Sequence, residues 1–381
     1  MILTFLAAIA FVGWLVRTGA ADASVSTGGK SIIRGLVVMP SQQPYNLNQP
    51  FPVADPDVIG PDGSAFTAIA VDATWAQLEP APGHYTWGPF DRSLASVRKY
   101  NLAHSHDPLA VKVRVFGGYG APDWAKQLGG RPVTIADRPN HARNGTLGRW
   151  WTKRYNAAWA TFQRAMARRY DGNPLIRGVQ DTSCNSETDE PFIVPNSTRD
   201  SVALAAVGYS TSDQKACLLQ ALPDFAAWEL TPVYLSVNLL QDGTSNGMPL
   251  FDQVFSEHMV DLCVASHPPF GPTCVVDNHD LRAGVTTNSQ STWLFASIDR
   301  EFAAQPSALH VAFQAYDPTQ GADCTSIDIA IAAHASSVEL WAPQPVRHGY
   351  QGFRSQSSDE LNEWNSSIVN GRLLPCPTPA S

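Results

Sequence analysis

Charge is scarce in this chain. Of its 381 residues only 16% are Asp, Glu, Lys or Arg, and the acidic ones prevail, for a formal net charge of -8. No cluster of Lys and Arg of the kind that neutralises a phosphate backbone occurs, because the basic pair Arg168-Arg169 sits inside a helical pattern, and this excludes nucleic acid as a partner. Cys-x-x-Cys and His-x-x-x-His spacings are absent, which argues against a metal centre. Gly117, Gly118 and Gly120 crowd together without forming Gly-x-Gly-x-x-Gly, so a dinucleotide fingerprint is missing as well and no cofactor is expected. Gly208-Tyr209-Ser210-Thr211-Ser212 falls short of the Gly-x-Ser-x-Gly elbow, which disfavours a serine hydrolase. No Pro/Ser linker splits the chain after its first thirty or so residues, so one large domain is expected.

The N-terminus does have a long apolar run, Ile2 to Val16, leading into Ala21-Asp22-Ala23, a small-residue cleavage pattern. The run is short for a membrane span. Residues 1–23 therefore read as a signal peptide. Because no Lys or Arg precedes the apolar run, retention as an N-terminal anchor is the alternative, and the sole route to membrane attachment. A Ser/Gly linker at 24–31, the domain at 32–372 and a tail at 373–381 complete the organisation. Six cysteines, an even number, agree with export to a secreted or extracytoplasmic location and with disulfides. Cys263 with Cys274, bracketing a turn, is the first pairing expected. Cys184 with Cys217 is a looser one that would pin an acidic loop. Asn144, Asn196 and Asn365 head glycosylation sequons.

Apolar runs alternating with helical periodicity organise the rest. Strands are expected at 32–39, 66–73, 110–116, 175–181, 233–239, 274–277, 309–313 and 338–341. Helices are expected from Phe90 to Tyr100, from Arg154 to Tyr170 with Gly172 and Pro174 as stop signals, through the Leu-rich stretch 216–228, and over 251–263, 293–302 and 327–334. A last helix follows the capping sequence Ser357-Ser358-Asp359-Glu360. Eight strands alternating with helices over this length make a single (β/α)8 TIM barrel, an α/β fold.

The stretch Trp75-Ala76-Gln77-Leu78-Glu79-Pro80-Ala81-Pro82-Gly83-His84-Tyr85-Thr86-Trp87, with Phe90-Asp91 beyond it, follows strand two, and Pro122-Asp123-Trp124 follows strand three. Together they resemble the segments after strands two and three in the clan of retaining (β/α)8 glycoside hydrolases that includes families 42, 39, 10 and 5. The resemblance implies a glycosidase acting on an oligo- or polysaccharide substrate, with an Asn-Glu acid/base after strand four and a carboxylate nucleophile at the end of strand seven.

Breaking a glycosidic bond takes one protonated carboxyl and one ionised carboxylate across the sugar. After strand four the chain reads Asn185-Ser186-Glu187-Thr188-Asp189-Glu190-Pro191-Phe192, one residue longer than Asn-Glu. Both Glu187 and Glu190 are thus candidates for the acid, with Asn185 as the contact to the 2-hydroxyl. Strand seven ends in Gln314, which cannot act as a nucleophile, and Glu339 on strand eight is the remaining late-strand carboxylate. It is a partner from the neighbouring strand, the product of a miscounted strand, or a structural ion pair with Arg114 on a barrel that only binds carbohydrate. Arg114, Asn238, Asn278, His279 and Gln314 are candidates for sugar contacts, and Trp75, Trp124 and Trp341 for stacking platforms.

Overall fold

The computed structural model describes residues 29–39, 50–59, 65–135, 145–186, 188–195, 197–245, 248–265, 273–287, 291–316, 322–343 and 352–376. The cleavage pattern at 1–23, Glu187 and the sequons at Asn144 and Asn196 lie outside them. Eight parallel strands close into a barrel in sequential order: β1 Gly35–Met39, β2 Phe66–Thr74, β3 Ala110–Phe116, β4 Ile176–Asp181, β5 Val233–Ser236, β6 Cys274–Leu281, β7 Val311–Ala315 and β8 Ala335–Trp341. β8 pairs with β1 through Gly35–Ser337 to Met39–Trp341, which closes the ring. This is the single (β/α)8 barrel expected.

Side chains alternate along each strand, and the two faces have different chemistry. The outward face carries Leu36, Val38, Ile69, Val71, Val113 and Val179 into the main core beneath the helices. The helix Lys153–Tyr170 answers with Tyr155, Trp159, Phe162 and Met166 at helical spacing. Inside the barrel a small apolar cluster of Ile33, Val37, Ala68, Tyr234, Val275 and Ala312 plugs the N-terminal end. Above it the interior turns ionic. Lys112 and Arg114, two residues apart on β3, point to the same side, and both are buried to within 1% exposure.

Two boundaries differ from the sequence expectation for a definite reason. Strand five was expected to run to residue 239 but ends at Ser236, because Leu240–Ser245 and Met248–Asp252 pair antiparallel as a hairpin. The helix expected from Phe251 starts at Gln253, where Asp252 caps it by accepting from the Phe255 N–H at 2.9 Å. The Leu-rich stretch breaks where Pro223 stands, as expected, into a helix Thr211–Ala221 and a 3-10 turn Leu222–Ala227. β6 runs four residues past its expected end and carries Asn278 and His279 within the strand.

All three disulfides form: Cys184–Cys217 and Cys263–Cys274, as paired above, and Cys324–Cys376 across 52 residues. Among the described residues, no helix is long and apolar enough to cross a membrane.

The sequon at Asn365 is engaged otherwise: its Oδ1 accepts from the Leu36 N–H at 2.9 Å, tying the last helix to β1. Gly35, just before, has φ +94, and a Cβ there would meet Asn365 Oδ1 at 2.0 Å. Gly35→Ala is therefore expected to strain the backbone and break the tie together, lowering stability by more than ~1 kcal/mol in urea unfolding. An unchanged midpoint would show that the helix does not depend on this contact.

Candidate active site

The segment after β2 that carries the resemblance is a scaffold. Glu79 accepts from Trp75 Nε1 at 2.7 Å and, through its other oxygen, from the Gly83 N–H at 2.8 Å, where Gly83 takes φ +71 to turn the chain. Tyr85 stacks on Trp87 with centroids 5.0 Å apart, and Trp87 in turn packs on Phe162 and Tyr170 of the long helix. Trp75 is fully buried against Trp124, Tyr155 and Trp159, so the structure does not bring it to the mouth. Trp124 donates to Glu79 O at 3.1 Å and is half-buried at the edge of this scaffold. Trp341 ends β8, half-buried, with its Nε1 donating to Ala315 O at 2.8 Å.

The loop after β4 is held from three sides. Cys184, at φ 56, is bonded to Cys217. Gln214, wholly buried on the same helix as Cys217, donates to Cys184 O at 2.9 Å and to Pro191 O at 2.6 Å, while its Oε1 accepts from Trp150 Nε1. The Tyr119 N–H donates to Ser186 O at 3.1 Å. Nothing in the sequence distinguished Gln214 from a surface residue of that helix; its role depends on the loop folding back over it.

At the C-terminal mouth the charged residues converge on Arg114. Its guanidinium is paired with Glu339 at 2.5 Å and with Asp189 at 2.9 Å, lies 3.8 Å from Asp72, and donates to Gln314 Oε1 at 3.3 Å. The other oxygen of Glu339 is bonded to Lys112, which also pairs with Asp277 at 2.8 Å and sits 4.3 Å over the Tyr234 ring. His279, on β6, places Nε2 3.3 Å from Asp277 and Nδ1 3.7 Å from Asp189 and 4.0 Å from Glu190. Lys112 and Asp277 were not singled out from the sequence, although the alternation that exposed Arg114 puts Lys112 on the same face.

Burial and the paired charges pull the proton affinities of several groups in this cluster in opposite directions. Burial opposes the charge on Glu339, but Arg114 and Lys112 outweigh it and hold the carboxyl below the usual glutamate range. Asp277 is likewise held low by Lys112 and His279 against burial. His279 is raised to about 9, because Asp189 and Asp277 overcome the effect of burial. For Asp72 burial wins, despite Arg114, and lifts the carboxyl to about 7.

Glu190 stands apart. Burial raises its carboxyl above the usual value, and it accepts from Asn238 Nδ2 at 3.0 Å. Asn238 is oriented in turn by Asn278, which donates to Asn238 Oδ1 at 3.0 Å and to Val237 O at 2.9 Å. Its side chain remains 19% exposed, whereas those of Asp189, Asp277 and Glu339 are 6%, 0% and 1% exposed. A carboxyl with raised proton affinity, reachable from the mouth and held by a two-residue amide relay, is able to donate a proton. Asn185, also at the mouth, is 2% exposed with neither side-chain polar atom hydrogen-bonded within the protein.

Fold and site together define a (β/α)8 barrel with an ionic mouth and, among the described residues, one partly exposed carboxyl of raised proton affinity in the loop after β4. No protein-family model matches the chain, and no curated protein matches it in sequence. Among solved structures it is similar to endo-glycoceramidase II from Rhodococcus sp. in a ganglioside GM3 complex. The TM-score is 0.52, with 14% identity over 87% of this chain and 79% of that one. The lactosyl-enzyme intermediate of the same enzyme gives 0.50, with 15% identity over 87% and 78%. A GH5-4 broad specificity endoglucanase from an uncultured bacterium gives 0.48, with 14% identity over 89% and 97%. At such identities the likeness to endo-glycoceramidase establishes the barrel.

Proposed function

We propose that the protein is a glycoside hydrolase that cleaves O-glycosidic bonds with retention of configuration, using Glu190 as the proton donor. The observation that carries this reading is the environment of Glu190: a partly buried, raised carboxyl, oriented by Asn238 and Asn278 and reachable from the C-terminal mouth where (β/α)8 enzymes mount their chemistry. The barrel shared with a glycosidase supports it. Glu190 is named for the role because its surroundings match it; Glu187 lies outside the described residues. His279 and Trp341 line the groove as sugar contacts in this reading, with Gln314 and Asn185 supplying amide contacts, while Arg114, fully buried, holds the carboxylates behind them. Export through a cleaved N-terminal signal, with one catalytic domain at 32–372, accords with the three disulfides.

A second reading has its own observation. Gln314 stands on β7, and both oxygens of Glu339 are occupied by cations, so the barrel is also suited to bind a carbohydrate without cleaving it. A glycan panel separates the two. The purified protein is expected to release reducing sugar from at least one member, and Glu190→Gln is expected to bind that member without turnover. Binding without release by the unaltered protein would favour the second reading.

A further inference from the structure

A proton donor alone does not cleave a glycoside with retention; something must attack C1 from the opposite face. The carboxylates around the mouth are committed elsewhere. Glu339 is bonded through both oxygens, Asp277 is bonded to Lys112 and lies 3.3 Å from His279, and Asp189 is paired with Arg114. Asp72 lies beneath the Arg114 guanidinium. Asp181 and Asp280 leave their strands on the outer face, opposite in register to the interior Gln180 and His279, and are bonded to Ser183 and Ser291. Glu79 is used up in its loop. Among the described residues Glu190 is thus the single mouth carboxyl not in contact with Lys or Arg. Carboxamides hold it, Asn238 directly and Asn278 through Asn238, and the same loop carries a further one, Asn185.

Asn185 is the informative one. A buried carboxamide with donor and acceptor both unmatched is costly unless a ligand completes it. Its complement is another amide, which presents one N–H and one C=O side by side.

We infer that the substrate is a glycoside of a 2-acetamido-2-deoxy sugar, and that its acetamido group, paired with Asn185, supplies the nucleophile that the described residues do not. The inference rests on the glycosidase reading and names its substrate class. In the first step the acetamido carbonyl oxygen bonds to C1 as the C1–O bond breaks, and its electron pair leaves on the glycosidic oxygen, which takes the Glu190 proton. The sugar is left as a cyclic oxazolinium ion, and the aglycone departs as an alcohol. In the second step the Glu190 carboxylate takes a proton from water while the water oxygen bonds to C1. The ring opens to regenerate the acetamide, with retained configuration and Glu190 reprotonated. No oxidant, reductant or further reactant is needed.

The experiment uses the full chain and paired aryl glycosides, α and β, of 2-acetamido sugars and of their 2-hydroxy counterparts. Hydrolysis of the acetamido series is expected, with a loss of more than about tenfold when the acetamido group is replaced by the less nucleophilic trifluoroacetamido group, a barrier change of at least ~1.4 kcal/mol. Competitive inhibition by a sugar thiazoline, weakened in Asn185→Ala, is expected alongside. Hydrolysis of the 2-hydroxy series, with a covalent adduct on Glu339 or another carboxylate in intact mass after a 2-fluoro sugar, would overturn this inference and leave the glycosidase reading standing. Equal rates for acetamido and trifluoroacetamido substrates would also overturn it. Hydrolysis of neither series would overturn both.

Discussion

Glu190→Gln will lower kcat on a cleaved glycoside by roughly 10²- to 10⁴-fold, the contribution of a positioned general acid. The substitution keeps the side-chain volume, and Gln retains a carbonyl oxygen to accept from Asn238, so unfolding in denaturant is expected to move by no more than ~0.5 kcal/mol. The loss should depend on the leaving group. An aryl aglycone that departs readily needs little proton assistance and will show a small effect, while an alkyl or sugar aglycone will show the full one. A uniform loss across leaving groups would point to a structural role. The pH profile has a definite sign. The acid must be protonated to work, so activity is present below the Glu190 pKa and falls as pH rises through it. Burial moves that point above the usual glutamate value of 4.5, and the alkaline limb of the unaltered enzyme should move with it and disappear in Glu190→Gln. An alkaline limb that persists in Glu190→Gln would assign the titration to another group.

Arg114→Met will destabilise the fold by about 3–5 kcal/mol, the usual cost of removing one partner from a buried charge pair. Arg114 is fully buried and is the meeting point of Glu339, Asp189 and Asp72. Methionine fills part of the volume but leaves three carboxyls facing one another. The gain in stability as pH falls from about 7 toward 5, already present through Asp72, should become larger. In the unaltered protein Glu339 and Asp277 are held below their ordinary values, so their stabilisation is present above those values and is lost as pH falls through the lowered ones. Without Arg114 burial dominates at Glu339 and Asp72, which then bind protons more readily folded than unfolded. The variant is therefore expected to gain stability as pH falls from about 7 toward 5. Arg114→Lys, which retains the charge but not the planar fork, should recover only part of the loss. Urea titrations of the three proteins between pH 3 and 8 measure both limbs, and a Met variant as stable as the parent would show the cluster to be energetically neutral.

The ionic mouth also explains a departure from the clan pattern. Gln314 accepts from Arg114, which is also paired with Glu339 and Asp189. A Glu at 314 would add a fourth carboxyl around one guanidinium, next to Glu339 in register on β8. With Glu339 and Asp189 in place a neutral amide suits that position better, and this is the physical setting in which the substrate, and not the described residues, would provide the nucleophile.

Local pattern carried the architecture. Apolar runs bounded by Gly and Pro located all eight strands, because a strand packed under helices must be nearly continuous in hydrophobic residues wherever it occurs. The Cys184–Cys217 and Cys263–Cys274 pairs were legible for a similar reason, since each joins segments that successive barrel units bring together. The hairpin at 240–252 was not, because its pairing competes with a helical pattern that Asp252 ends only through its own cap. The site was legible in part. The acidic loop after β4 and Arg114 on β3 announced themselves by type and position. Which carboxyl is reachable and which is sealed depends on partners from six strands: Lys112 beside Arg114 on β3, Asp277 and His279 on β6, Asn238 just past β5, Gln314 on β7, Glu339 on β8 and Asp72 on β2. Proton affinities and exposure come from burial and from charges within a few ångströms, and those distances exist only once the barrel has closed.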